Sequence, residues 1–263
     1  MASLTAYGRT LKKLKAQVGK VVMPEIAKYR KDEGLNESPF LRYAIDIRRD
    51  DGSSMSDDDI RDLFVCLLYT SSENTALALS NAIIDLALHP ELYARARDEI
   101  RGTLIAGEWT DLLRNKLLTS CIMESIRINP QIFTIGRTPK SPIVLGDYYV
   151  DNVDSVILCG SLMQVYGSAG EIFQNPEVFD PLRFFDKEKK EPQGPPAINA
   201  WGNMVHGCPG KLFALNEIKT ACIFFIMNFD LIIENPNEII VDYFAPKAFS
   251  EKKITCKLRL VEN

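Results

Sequence analysis

The chain has 263 residues, 46% hydrophobic and 25% charged, close to the average for a soluble globular protein. That excludes a disordered tail, a collagen-like fibre or a disulfide-dense mini-protein, and it leaves enough chain to bury a real core. Thirty-one Lys and Arg against 35 Asp and Glu give a net charge of −4, which carries no basic footprint for nucleic acid.

Residues 8–33 predict a helix, with Leu11, Leu14, Val18 and Val22 at three- and four-residue steps. Pro24 is expected to break or kink it. The basic residues Arg9, Lys12, Lys13, Lys15 and Lys20 fall at helical spacing and read as a solvated face. Ser56 opens the clearest element. With Asp59 it makes a capping-box-like start, and Asp57, Asp58 and Asp59 sit where a helix dipole favours anions. Ile60, Leu63, Phe64, Leu67 and Leu68 mark one apolar face. The pattern runs to Leu88, about 30 residues or roughly 45 Å. In its middle, Thr70-Ser71-Ser72-Glu73-Asn74-Thr75 has no large apolar side chain. Either the helix opens there toward a ligand cavity, or the patch is its solvent face. The apolar pattern then resumes with Leu77, Leu79, Ile83 and Leu86.

His89-Pro90 places a proline at the first position of a new helix, which runs to about Leu104 and ends at Gly107. Another helix is expected over 112–129, stopped by Pro130. Residues 131–165 read as short strands, and 170–200 as an irregular stretch. The glycine-rich segment 202–210 leads into a helix with apolar Phe213, Leu215, Ile218, Cys222 and Phe225. The tail from Leu231 alternates as short strands. The fold class is mainly α with small β-sheets.

The longest apolar runs, 63–69 and 221–227, fall well short of the ~18 residues that span a membrane. Residues 1–15 lack the apolar stretch of a secretion signal. The expectation is a chain that neither crosses a membrane nor is secreted. Cys66, Cys121, Cys159, Cys208, Cys222 and Cys256 form no C-x-x-C pair, and only His89 and His206 could assist a zinc site. A structural zinc is therefore not expected, and most cysteines read as buried thiols.

Four groups could carry chemistry. In Trp201-Gly202-Asn203-Met204-Val205-His206-Gly207-Cys208-Pro209-Gly210, a cysteine stands at the mouth of a helix. The helix start favours negative charge, the form in which sulfur binds a metal. Gly207 and Gly210 let backbone approach something large and flat. Taken alone, the segment also fits a helix start with an incidental cysteine. Glu124 and Arg127, three apart, share one helix face and can pair, as many surface residues do. Arg183, flanked by aromatics in Phe179-Asp180-Pro181-Leu182-Arg183-Phe184, could reach back to a buried carboxylate or lie in an exposed turn. The fourth group is the patch 70–75.

The order of these groups resembles the haem-thiolate family, cytochrome P-450, most closely its fungal members. The resemblance implies a cytochrome P-450-like fold, incomplete at the amino terminus. The chain would be the carboxy-terminal part of a single domain, with a long distal helix at about 57–88, the E-x-x-R helix at about 112–129, and the cysteine loop and proximal helix at about 201–229. Cys208 would be the proximal ligand of haem b (iron protoporphyrin IX). Gly202 and Gly210 would shape its loop, and His206 and Arg137 would contact the propionates. Glu124, Arg127 and Arg183 would form a buried network, and Glu73, Asn74 and Thr75 would relay protons.

An intact relative would be a monooxygenase that uses dioxygen and electrons from an NADPH-dependent reductase to oxidise a hydrophobic small molecule. It would sit at the cytosolic face of the endoplasmic reticulum membrane; without an anchor, this chain would be cytosolic. Four features depart from the pattern. Met204 stands where a glycine is usual, at a cost on the order of 1 kcal/mol if that position needs positive φ. Trp201 replaces phenylalanine, Thr70-Ser71 replaces Ala-Gly, and Asn74 follows the acid in place of threonine. Two further readings are a haem-thiolate peroxide isomerase or dehydratase, suggested by Asn74, and a truncated non-catalytic protein without haem.

Overall fold

The computed structural model describes residues 6–31, 38–107, 109–129, 135–151, 156–158, 173–186, 191–192, 200–202, 207–238 and 254–261. Contacts divide the chain into two units, Met1–Glu73 and Asn74–Asn263.

The first unit holds α1 (Ala6–Arg30), α2 (Pro39–Asp46) and the first half of α3 (Asp57–Ala87). Val18, Val22, Ile26 and Tyr29 of α1 recur at helical steps and pack with Leu41, Ala44, Ile60 and Val65. Helix α1 runs on through Pro24, contrary to the expected break. The turns beyond the proline are held by fully buried Ile26 and by Tyr29, whose hydroxyl accepts from the Ser38 amide at 2.8 Å. Ser38 in turn caps α2, its hydroxyl accepting from the Leu41 amide, with Pro39 in the first turn.

The start of α3 is a reciprocal capping box. The Ser56 hydroxyl accepts from the Asp59 amide at 3.1 Å, and the Asp59 carboxylate accepts from the Ser56 amide at 3.2 Å. The acids of the first turns each find a cation: Asp57 with Arg30, Asp58 with Arg61, Asp59 with Arg49, and Asp62 with Lys15. The predicted apolar face is only half right. Ile60 is buried, but Leu67 and Leu68 are exposed, and Val65 takes the inner place. Every residue from Cys66 to Asn74 is exposed. The helix stays unbroken through the polar patch, where Thr70 Oγ1 donates to the Cys66 carbonyl and Ser72 Oγ to that of Leu68.

In the second unit α3 buries small residues, Ala78 and Ala82, together with Leu86. They pack with Tyr93, Ala96 and Ile100 of α4 (Pro90–Ile105) and with Leu117, Leu118, Cys121 and Ile122 of α6 (Lys116–Ile128). Alanine at such contacts lets helix backbones approach closely, which explains why Ala78 and Ala82 join Leu86 inside although only the larger residues stood out in the sequence. Pro90 opens α4 behind His89, and Gly107 at φ +77° ends it, its amide bonding the Leu104 carbonyl. The helix expected over 112–129 is α6, which starts at Lys116 behind a separate short α5 (Trp109–Leu112). Asn115 makes the break: its side-chain oxygen accepts from the Leu118 amide at 2.7 Å and starts α6 afresh.

Short antiparallel pairs follow. β1 (Ile135–Arg137) pairs β4 (Val156–Leu158), and β2 (Ile143–Leu145) pairs β3 (Tyr148–Val150). A 3-10 turn, Pro181–Phe184, leads into β5 (Phe185–Asp186), which pairs β6 (Glu191–Pro192). Helix α7 (Lys211–Asn228) buries Ile218, Cys222 and Ile226 in the common core. Phe213, off the Ile218–Cys222–Ile226 line, is 69% exposed. β7 (Phe229–Ile233) and β8 (Cys256–Leu260) close the described chain. Helices dominate and the sheets are small, as the patterning predicts. Among the described residues no helix is long and apolar enough to cross a membrane.

Candidate functional site

The most ordered polar group of the second unit surrounds Glu124. Lying three apart on α6, Glu124 and Arg127 are both fully buried. Arg127 donates Nε to Oε2 at 2.7 Å and Nη2 to Oε1 at 2.8 Å, a two-pronged pairing that matches a planar guanidinium to a planar carboxylate. Arg183 reaches the same Oε1 with Nε at 2.9 Å, and the Asp180 amide adds a further bond at 3.0 Å. The rest of the Arg183 fork holds the carbonyls of Gln174, Asn175 and Val178. Both guanidiniums stand over the ring of Phe173, at 5.0 and 5.9 Å. One carboxylate therefore fastens an irregular segment, 173–183, to the end of α6. Desolvation of such charges is costly, and full pairing is what makes their burial tolerable.

A second buried group lies on the same helix end. Ser125 Oγ and Asn129 Nδ2 each donate to Asp85 Oδ2 at 2.7 Å, joining α6 to the second half of α3. His89 places Nδ1 2.7 Å from the Asp85 carbonyl and stacks on Phe179 at 4.7 Å. Sequence reading missed Asp85. Its signal was an acid among the apolar residues of a buried helix face.

The cysteine loop closes on itself. The Cys208 amide donates to the Trp201 carbonyl at 2.6 Å, and the Cys208 carbonyl accepts from the Lys211 amide at 3.4 Å, where α7 begins. Gly202 takes φ +69°, a left-handed conformation that glycine adopts without the Cβ penalty. A Cβ placed on Gly210 would meet the Cys208 sulfur at 3.8 Å, so the sulfur lies beside that residue at the helix mouth. The Lys211 ammonium stands 5.0 Å over the Trp201 ring and brackets the loop from the other side.

Exposure separates the described thiols. Cys121 and Cys222 are buried, and burial pushes each up to about 12, so they stay protonated and inert. Cys66, Cys208 and Cys256 are exposed. The expectation that most cysteines are buried is thus corrected: Cys66 lies on the uncovered stretch of α3 and Cys256 on a strand whose residues are all exposed. Cys159 lies outside the described residues.

The structure brings Glu124, Arg127 and Arg183 together, and it places Cys208, Gly202 and Gly210 in one loop. Glu73 and Asn74 are exposed on α3, and Thr75 is half-buried. Arg137 is exposed on β1, in register with Val156. His206 and Met204 lie outside the described residues. The donor set fits haem: a soft, reachable sulfur at a helix start, flanked by glycine, suits an iron porphyrin.

Helices with small antiparallel pairs make up a fold shared with solved cytochrome P450 structures. The haem domain of cytochrome P450DA superposes with a TM-score of 0.78 at 20% identity, over 98% of this chain and 56% of that one. The cytochrome P450 CYP102L1 gives 0.74 at 21%, over 95% and 56%. The chain belongs to the cytochrome P450 family, whose model, described as Cytochrome P450, matches residues 2–254. "Probable lanosterol 14-alpha demethylase" of Acanthamoeba polyphaga mimivirus is 37% identical over 247 residues, 93% of this chain and 35% of that protein. "Leukotriene-B4 omega-hydroxylase 3" of Mus musculus is 32% identical over 200 residues, 73% and 37% respectively. The chain thus spans little more than a third of the length of these curated relatives.

Proposed function

We propose that this chain is the haem-ligating part of a cytochrome P450 monooxygenase that oxidises a hydrophobic small molecule, with haem b as cofactor. The observation that carries this reading is Cys208, exposed at the mouth of α7 in a loop closed by its own amide. Relatives named as a lanosterol demethylase and a leukotriene-B4 hydroxylase support a lipid-like substrate.

In this reading Cys208 would ligate the haem iron through its thiolate, Gly210 would lie beside that sulfur, and Arg137 and His206 would bind the propionates. Haem, when bound, supplies the redox centre at which dioxygen is reduced and the substrate oxidised, with electrons from an NADPH-dependent reductase. Glu73, exposed to bulk water, would take up protons and the Thr75 hydroxyl would pass them on, with Asn74 a hydrogen-bonding neighbour between them. Glu124, Arg127 and Arg183 hold segment 173–183 in place. The intact protein would work at the cytosolic face of the endoplasmic reticulum membrane.

A second reading, a peroxide isomerase or dehydratase, is favoured by one observation. Asn74 is exposed beside the acid, and an amide cannot relay a proton as a hydroxyl does. The haem-loaded chain should consume dioxygen when a reductase and NADPH are supplied, and Glu73→Gln should slow this by about 10²-fold or more. Turnover of a lipid hydroperoxide with no reductase-driven oxygen uptake would select the second reading.

A further inference from the structure

The second half of α7 does not by itself say how that helix should be rotated. Residues 221–227, Ala-Cys-Ile-Phe-Phe-Ile-Met, are apolar around two full turns. In this half a rotation of one residue would exchange one apolar side chain for another, with little change in the area removed from water; only in the first half do Glu217 and Lys219, on either side of Ile218, oppose it. Yet the observed helix buries one line, Ile218, Cys222 and Ile226, and leaves Phe224 57% exposed.

Polar contacts at its far end single out this arrangement. The last carbonyls of a helix lack intrahelical partners. Here two residues one turn apart on α4 take them. Arg97 donates Nε to the Ile226 carbonyl at 2.7 Å and Nη2 to the Phe229 carbonyl at 2.6 Å, while Nη1 pairs with Asp230 at 2.6 Å. The Tyr93 hydroxyl donates to the Phe229 carbonyl at 2.8 Å and lies 3.4 Å from that of Phe225. The Arg97 guanidinium stands 5.2 Å from the Tyr93 ring centre, and its side chain is 14% exposed. A cation here also complements the negative end of the helix dipole. The Phe229 carbonyl and the Asp230 side chain lie beyond the repeating helical turns, so these bonds tie Arg97 to one height of the chain.

We propose that Arg97, supported by Tyr93, is a positioning residue that fixes the register of α7 and thereby the placement of Cys208 at the opposite end, about 27 Å away along the helix. This rests on the reading of Cys208 as the haem ligand.

Amide hydrogen exchange of the haem-free chain tests it. Arg97→Met should accelerate exchange by about tenfold at both ends of α7. The far-end reporters are the Cys208 amide, bonded to Trp201, and the Ala214 amide, bonded to Gly210. Helix α6 should keep its protection, and Arg97→Lys should restore part of the loss. Acceleration confined to 225–233 would make Arg97 a local cap and overturn the proposal. If Arg97→Met also strips protection from α6, Tyr93→Phe, which removes only the hydroxyl, decides by the same two patterns.

With haem added and the sample reduced under carbon monoxide, Arg97→Met should lower the share of the thiolate-type Soret band relative to the parent. An unchanged share would refute the link to Cys208. A parent chain that takes up no haem would refute the ligand reading instead, while the exchange pattern still decides the register.

Discussion

Glu124 accepts from two arginines and a backbone amide with no exposure to water. Removing it would leave Arg127 charged and buried without the carboxylate that neutralises it. Glu124→Ala should therefore cost about 3–5 kcal/mol in urea unfolding; a loss near that of an ordinary surface pair would contradict the assigned burial. The thiols make a second residue-scale test. Because burial pushes Cys121 and Cys222 up to about 12, iodoacetamide at neutral pH should label Cys208, Cys66 and Cys256 in the native chain and spare those two. Peptide mass spectrometry reads this directly. The Glu-Arg pair and the returning Arg183 were legible from residue type and a three-residue spacing. The Asp180 amide, the Val178 carbonyl and the Phe173 ring were not, since they depend on the path of an irregular segment that has no periodicity to read.

At the scale of elements, local chemistry predicted the starts and stops well. The Ser56–Asp59 capping box, Pro90 in the first turn of α4 and Gly107 after its end are where the sequence put them. The misreadings have physical causes. Asn115 outcompetes helix continuation by bonding the Leu118 amide, so α6 starts later than the apolar pattern suggests. Leu67 and Leu68 fit an apolar period but have no buried place, whereas Ala78 and Ala82 are inner residues because they are small.

The acids of α3 also set a pH dependence. Asp59 is held below the ordinary aspartate value of 3.8 chiefly by the Ser56 hydroxyl, and Asp62 chiefly by its bond to Lys15. A lowered folded value means the stabilisation is present above 3.8 and is lost as pH falls through the lower folded values. Acid titration of unfolding should show that loss below about pH 4, and Asp62→Asn should flatten it. A curve identical for parent and variant would contradict the pairing. At the other end of the chain, Gly202→Ala puts a Cβ on a residue at φ +69°. It should cost on the order of 1 kcal/mol and loosen the Cys208–Trp201 closure.

For the whole molecule, two compact units are joined within one helix, α3, whose central turns are exposed. The family was legible from the order of its groups along the chain, because that order reflects one fold serving one cofactor. Less legible was what holds the end of the apolar second half of α7, since its polar partners lie on α4, more than a hundred residues earlier. The central claim, that Cys208 ligates haem iron, has a direct test. The purified chain and its Cys208→Ala variant are each reconstituted with haem, reduced, exposed to carbon monoxide and recorded as difference spectra. The account predicts a thiolate-type Soret band in the parent and its loss in the variant. The same band in both, or no haem uptake by the parent, would contradict it.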